Sequence, residues 1–270
     1  MAAANAFLCV AEAENSLIAM PAARMAVTPN EDDAGSYLAT VSDATGVVAA
    51  VLAGATGGIL LTAAPEPAVK LVANDLADRG RALNSLVGPL PQCEAFARAW
   101  RERTGLAHVL RFHLRQFELD GDPVVHSAPG ALRLPDPDEH ALIACWQVAF
   151  IDEVDLPDDR VRARRNMERR LERGFVRVWD DGGAVAFVAF GEGAAHTVRI
   201  APVYTPPRFR GRGYASAMVG ELSRQLFQAG TRAIYLTTDV ANPTSNRIYQ
   251  RIGFRPVADH FHFEFVALPA

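Results

Sequence analysis

The chain has 270 residues, of which 50% are hydrophobic and 21% charged, with a net charge of −4. That composition is globular, the length admits one large domain or two small ones, and the near-neutral charge gives no support for nucleic-acid binding. No apolar run reaches the length of about eighteen residues that a membrane-spanning helix needs, so no membrane partner is expected.

The first thirty residues are alanine-rich, and one helix is expected between Asn5 and Met20. Met1 to Val10 has no basic residue ahead of its apolar patch, which argues against a signal peptide. Three short strands follow, Ser36 to Val41, Gly46 to Ala53 and Gly58 to Ala63, each bounded by turn residues. Pro65 to Ala77 places Val69, Leu71, Val72 and Leu76 at helical spacing, Ser85 to Gly88 reads as a strand, and Pro91 to Arg103 as a helix with Phe96, Ala97 and Trp100 on one side. His108 to Leu119 alternates as a strand with one wet face. Gly121 to Gly130, with two prolines and two glycines, reads as a linker, so a division into domains 1–125 and 131–270 is expected. Cys9, Cys93 and Cys145 have neither metal nor redox spacing, as expected of thiols in a reducing cytoplasm, and no metal ligand set is read.

In the second half, Ala131 to Leu134 opens as a strand, and Asp136-Pro137-Asp138-Glu139 is a capping box. The helix it starts is expected to bury Leu142, Ile143, Trp146, Val148 and Phe150. A second helix, Asp159 to Arg173, carries seven arginines, readable as a solvated face or as a surface that steers an acidic acceptor. Phe175 to Trp179 and Ala184 to Phe190 form a hairpin through Asp180-Asp181-Gly182-Gly183. An apolar run (Val198, Ile200, Val203, Tyr204) then meets Arg208-Phe209-Arg210-Gly211-Arg212-Gly213-Tyr214-Ala215, after which Ala217, Met218, Leu222 and Leu226 keep helical spacing. Strand, glycine turn and helix N-terminus together make a seat for phosphate oxygens. Gly230 ends that helix, Ala233 to Thr238 is a strand, and Asn242-Pro243-Thr244-Ser245-Asn246-Arg247-Ile248-Tyr249 opens a short helix closed by Gly253. Asn242, Asn246 and Tyr249 share one face of it. His260 and His262 alternate with phenylalanines on a last strand, where a solvated face is expected.

Arg-x-x-Gly-x-Gly opening a helix, then a strand, then Asn-Pro-x-Ser-Asn-x-x-Tyr-x-x-x-Gly-Phe, resembles the GNAT superfamily of acyl-CoA N-acyltransferases over roughly residues 131–270. The resemblance implies an α/β fold with a mixed sheet, a GNAT fold in the C-terminal half. The strand and helix order of the N-terminal half echoes it, which implies a tandem protein whose first half is degenerate. Where its phosphate turn would lie, the chain reads Ala63-Ala64-Pro65-Glu66-Pro67, without paired glycines or arginine.

By the same resemblance, acetyl-CoA is the cosubstrate and an amine the acceptor; the cysteine usage and the N-terminus make a cytoplasmic location the expectation, and a homodimer stays open. Val203, Tyr204 and Thr205 would hold the pantetheine arm along the main chain. Arg208, Arg210, Gly211, Arg212, Gly213, Tyr214 and Ala215 would bind the pyrophosphate, with Asn242 and Asn246 as further binding residues. Tyr249 matches the general acid that protonates the departing thiolate. The base stays open between Glu192, His196, Asp239 and a water. A non-catalytic acyl-CoA-binding regulator or scaffold is the alternative. A dinucleotide-binding oxidoreductase fails, because Ser216 stands where a third glycine is needed.

Overall fold

The computed structural model describes residues 2–27, 29–155, 159–193 and 195–267. These fall into two compact units, one drawn from residues 1–117, 237–243 and 256–270, the other from residues 118–236 and 244–255.

Unit 1 begins with α1 (Ala2–Val10) and α2 (Glu12–Val27). The single helix expected between Asn5 and Met20 is therefore two. The break at Ala11 is stabilised by Asn15, whose Nδ2 donates to the Leu8 carbonyl (3.3 Å) left over at the end of α1. β1 (Tyr37–Asp43), β2 (Gly46–Ala53) and β3 (Gly58–Leu61) form an antiparallel meander with Leu52 opposite both Leu38 and Leu60. α3 (Glu66–Asp78) crosses to β4 (Ser85–Gly88), which lies parallel to β3 through Ile59 and Leu86. α4 (Leu90–Thr104) ends at Gly105, whose φ of +75° is the left-handed turn that closes many helices, and β5 (Ala107–Leu119) follows. The apolar stripes of α3 and α4 bury Val69, Val72, Leu76, Phe96 and Trp100 against Val51, Ile59, Leu61 and Leu86. Each such side chain contributes about 1.5–3 kcal/mol of transfer free energy.

Unit 2 contains β6 (Ala131–Arg133), α5 (His140–Glu153), α6 (Arg160–Glu172), β7 (Val176–Asp180), β8 (Ala184–Glu192), β9 (Thr197–Tyr204), α7 (Tyr214–Gln228), β10 (Ala233–Asp239) and α8 (Pro243–Ile252). Its strands lie in the order β6-β7-β8-β9-β10, antiparallel except for the β9–β10 pair. On one face Ile143, Trp146, Met167 and Leu171 of α5 and α6 pack on Val176, Val178, Phe187 and Tyr204. α7 covers the strands with Ala217, Met218 and Leu222. Leu142, expected in the core, is 40% exposed. The buried stripe of α5 runs instead through Ile143, Ala144, Trp146 and Ile151, which leaves Val148 and Phe150 half-buried. α6 is capped by Asp159, whose Oδ1 accepts from the N–H groups of Val161 (2.8 Å) and Arg162 (3.2 Å). Only Ala163, Met167 and Leu171, four residues apart, are buried on it, so the arginines occupy what remains of its surface.

The segment 121–130 is fastened along unit 2. The Val124 N–H donates to the Ile252 carbonyl (2.8 Å) and Trp179 Nε1–H to the Pro129 carbonyl (2.7 Å). Gly130 sits at φ +97°, where a Cβ would fall 1.9 Å from the Asp180 carbonyl oxygen.

The last strand, β11 (Arg255–Val266), returns to unit 1. It pairs antiparallel with β4, Phe263 opposite Leu86, and lies beside β5 on its other edge. This interior position corrects the solvated face expected for His260 and His262, which are 6% and 8% exposed. His262 lies tilted against Phe112 with ring centroids 5.5 Å apart, and burial pushes its pKa down. No helix among the described residues is long and apolar enough to cross a membrane.

Candidate active site

β9 is the strand that shapes the site. Against β8 it pairs Ile200 with Phe190 and Val203 with Val188, so Ala201 and Pro202 together face Ala189. That is a bulge, and it falls where Pro202 has no N–H to give the ladder. Against β10 the pairing covers Thr197, Val198 and Arg199 opposite Ala233, Ile234 and Tyr235. β9 then runs on from Ile200 to Tyr204 with no β10 pairing among the described residues. Its main chain is thus open along one edge. Just beyond, the Thr205 Oγ1 is buried without a hydrogen-bond partner among the described residues.

The turn follows directly. Gly211 at φ +78° and Gly213 at φ +82° both take left-handed backbone, and Gly213 is the N-cap of α7. A Cβ at Gly211 would meet nothing within 4 Å; one at Gly213 would meet the Ala128 Cβ at 3.9 Å. The conformation, rather than lack of space, is what requires glycine. α7 has no acidic residue in its first turn, so the positive end of its dipole is left uncancelled.

The three arginines of the turn have different surroundings. Arg208 is exposed and lies over the Phe209 ring, 4.6 Å from its centroid. Arg212 is exposed and makes no ion pair with a described residue. Arg210 is committed: its Nε donates to the Thr205 carbonyl (2.8 Å), its Nη2 to Glu153 Oε2 (2.6 Å), and its guanidinium lies over Tyr204, 5.8 Å from the ring centroid. Arg210 therefore fixes the end of β9, and Glu153, the last residue of α5, holds it there. Nothing in the sequence around Glu153 marked it for this. The Tyr214 side chain lies in the core with its hydroxyl donating to Asp181, so its main chain is what it offers at the helix start. Ala215 is half-buried in the same first turn.

Asn246 and Tyr249 lie on α8 within unit 2, whereas Asn242 falls in the segment 237–243 of unit 1. Tyr249 is half-buried, edge-on to Phe254 with centroids 6.0 Å apart, and burial pushes its phenol up to about 12. Glu192 ends β8 and His196 precedes β9, at the opposite end of that strand from Thr205. At the rise of an extended strand this separates them from Thr205 by about 25 Å, so neither serves as base there. Asp239 Oδ1 accepts from the Ala241 N–H (2.9 Å) and caps its own turn.

One α6 arginine departs from a solvated face. Arg170 is half-buried, and its guanidinium donates to the Ala201 carbonyl at the bulge. Arg199 lies close enough to feel it: burial first, and then the like charge of Arg170, push Arg199 down to about 10.

Residues 139–254 match the model of the acetyltransferase (GNAT) family. Over that segment the chain is similar to the GNAT family. Every residue from Val203 to Ala215, with Asn242, Asn246 and Tyr249, lies inside it. Solved structures of similar fold include a GCN5-related N-acetyltransferase from Kribbella flavida, 17% identical, covering 92% of this chain and 95% of that one at a TM-score of 0.57. A GNAT-family acetyltransferase from Colwellia psychrerythraea is 9% identical over 90% of this chain and 88% of that one, also at 0.57. A tandem GNAT protein from the clavulanic acid biosynthesis pathway is 14% identical over 87% of this chain and 84% of that one, at 0.52. At these identities the likeness is one of fold, and it extends beyond residues 139–254 into the N-terminal half. No curated protein matches the sequence.

Proposed function

We propose that the protein transfers an acetyl group from acetyl-CoA to an amine, with both substrates bound at once. The observation that carries this is the open edge of β9 from Ile200 to Tyr204, running into a two-glycine turn at an uncancelled helix N-terminus. An extended edge suits the amides of a pantetheine arm, which bond as an added strand. The N–H groups of Tyr214 and Ala215 suit a pyrophosphate, with Arg208 and Arg212 as counter-charges. The fit is supported by the free space at Gly211 and by the buried Thr205 hydroxyl.

Acetyl-CoA, when bound, supplies an activated thioester. A main-chain N–H at the end of β9 polarises the carbonyl as charge develops on its oxygen. Tyr249, whose phenol holds its proton at neutral pH, donates its hydroxyl toward the departing sulfur. Arg210, anchored by Glu153, keeps the β9 end in place. The acceptor amine attacks as the free base, and its surplus proton leaves through solvent. We place the enzyme in the cytoplasm, where exposed thiols such as Cys9 and Cys145 stay reduced.

The test is release of free thiol from acetyl-CoA by the purified chain across simple amines, aminoglycosides, amino acids and peptides. Turnover with at least one amine, reduced in Tyr249→Phe at unchanged CoA affinity, is expected. CoA binding without turnover on any amine would favour a non-catalytic acyl-CoA-binding regulator instead.

A further inference from the structure

Unit 1 contains a cavity of about 300 Å³ that acetyl transfer does not use. It lies at the C-terminal ends of the parallel strands β3 and β4, the place where open α/β sheets form ligand crevices. Ile18 of α2, Leu61 and Thr62 at the end of β3, and His260 of β11 line it and are each less than a tenth exposed. Val87 adds apolar wall, and Glu14, Asn15 and Ala63 reach it from the surface.

The charge around this cavity selects the ligand. Neither lysine nor arginine lines it. Asp259 does, but its carboxylate accepts from Arg115 Nε (2.7 Å) and Nη2 (2.8 Å) and meets His113 Nε2 (2.9 Å), so Asp259 and Arg115 cancel. Glu14 has no ion pair with a described residue, which leaves one negative charge at the opening. Asn15 gives its Nδ2 to the Leu8 carbonyl and keeps Oδ1 as an acceptor. The chain leaving β3 has no glycine turn, and α3 starts with Glu66 in its first turn, so a phosphate finds no seat. We propose that unit 1 binds a small, phosphate-free ligand with an apolar body and a protonated amine. The body packs on Ile18, Leu61 and Val87, and the ammonium meets Glu14 and Asn15 Oδ1.

This site is independent of acetyl transfer and is tested locally. The full chain is labelled at its isoleucine methyls, Ile18 is assigned through Ile18→Val, and n-hexylamine and hexanoate are titrated separately. The Ile18 signal is expected to shift and saturate with hexylamine and to stay still with hexanoate. Glu14→Gln should weaken hexylamine about fivefold, the loss of one exposed charge pair. Ala63→Trp, at an exposed position on the rim, should abolish the Ile18 response while the signal of Ile59, buried in the core of unit 1, confirms the fold. An Ile18 signal that ignores hexylamine, answers hexanoate equally, or survives Ala63→Trp unchanged would overturn the proposal.

Discussion

Tyr249 combines a buried environment with a proposed task that limits how much it can do. Its phenol, at about 12, is a weaker acid than a thiol near 8.5, so complete transfer to the thiolate is uphill. Its hydroxyl therefore acts mainly as a hydrogen-bond donor to growing charge on sulfur. Tyr249→Phe should lower kcat by about 10²-fold, the low end for a general acid, with CoA affinity unchanged; stopped assays beside calorimetry check both. The same shift has a sign for stability. The unfolded phenol loses its proton near 10 and the folded one only near 12, so the folded state binds more protons in that window and stability falls as pH rises through it. Tyr37, raised to about 12 by burial and by Asp75, adds to the effect. Cys93, which burial also pushes up to about 12, starts the fall earlier, and Arg199, lowered to about 10, partly offsets it at the alkaline end, so urea midpoints should begin to decline near pH 8.5 and be lower at pH 10 than at neutrality. Arg133 works at the acid end. It donates to both oxygens of Glu139 (2.7 Å each) and pairs with Asp180 (2.6 Å), holding both carboxyls below their usual range. Arg133→Met should cost about 1–3 kcal/mol near neutrality. That cost should disappear as pH falls through the lowered carboxyl values, because the wild type loses the same pairing there.

At the scale of elements, the two kinds of glycine should behave differently. A Cβ at Gly130 would strike the Asp180 main chain at 1.9 Å, and β7 would have to move. Gly130→Ala should therefore cost more than about 2 kcal/mol. Gly211→Ala meets open space and should cost only the left-handed backbone, about 1 kcal/mol. Thermal unfolding of the two variants side by side checks the order. Much at this scale was legible in the sequence. The strands Gly46–Ala53 and Ser85–Gly88 stand where alternation and turn residues put them, because each is short, apolar and sharply bounded. The glycine turn and the Asn-Pro helix were legible because glycine and proline fix backbone angles locally. The break at Ala11 was not, since it depends on Asn15 reaching back to Leu8. Nor was the role of Arg210: a charged residue beside a phosphate turn looks like a ligand until Glu153, 57 positions away, is seen to hold it.

At the scale of the whole chain, the placement of β11 had no local signature. A strand's apolar pattern says that it pairs and not with which strand, so residues 256–266 read as the end of the second half while their partner is β4 of the first. The comparison of the two units leads to a stoichiometry. Both contain a parallel strand pair followed by a helix, β3–β4 with α4 and β9–β10 with α8, and both send a helix out of the first strand of the pair. In unit 2 that exit is the two-glycine turn. In unit 1 the Thr62 hydroxyl is already bonded to Ala50 (3.0 Å from its N–H, 3.3 Å to its carbonyl), and Pro65 stands at the N-cap without a side-chain bond. Glu66 then fills the first turn of α3, paired with Lys70 at 3.0 Å, and its charge would repel a pyrophosphate. Acetyl-CoA should therefore bind once per chain. Calorimetry on the full chain is expected to give one site. Gly211→Asp, which adds a negative charge inside the turn of unit 2, is expected to remove it. Glu66→Gln should leave both number and affinity unchanged. A second site in the wild type, or binding that survives Gly211→Asp, would mean that unit 1 seats a phosphate by a route other than its helix start.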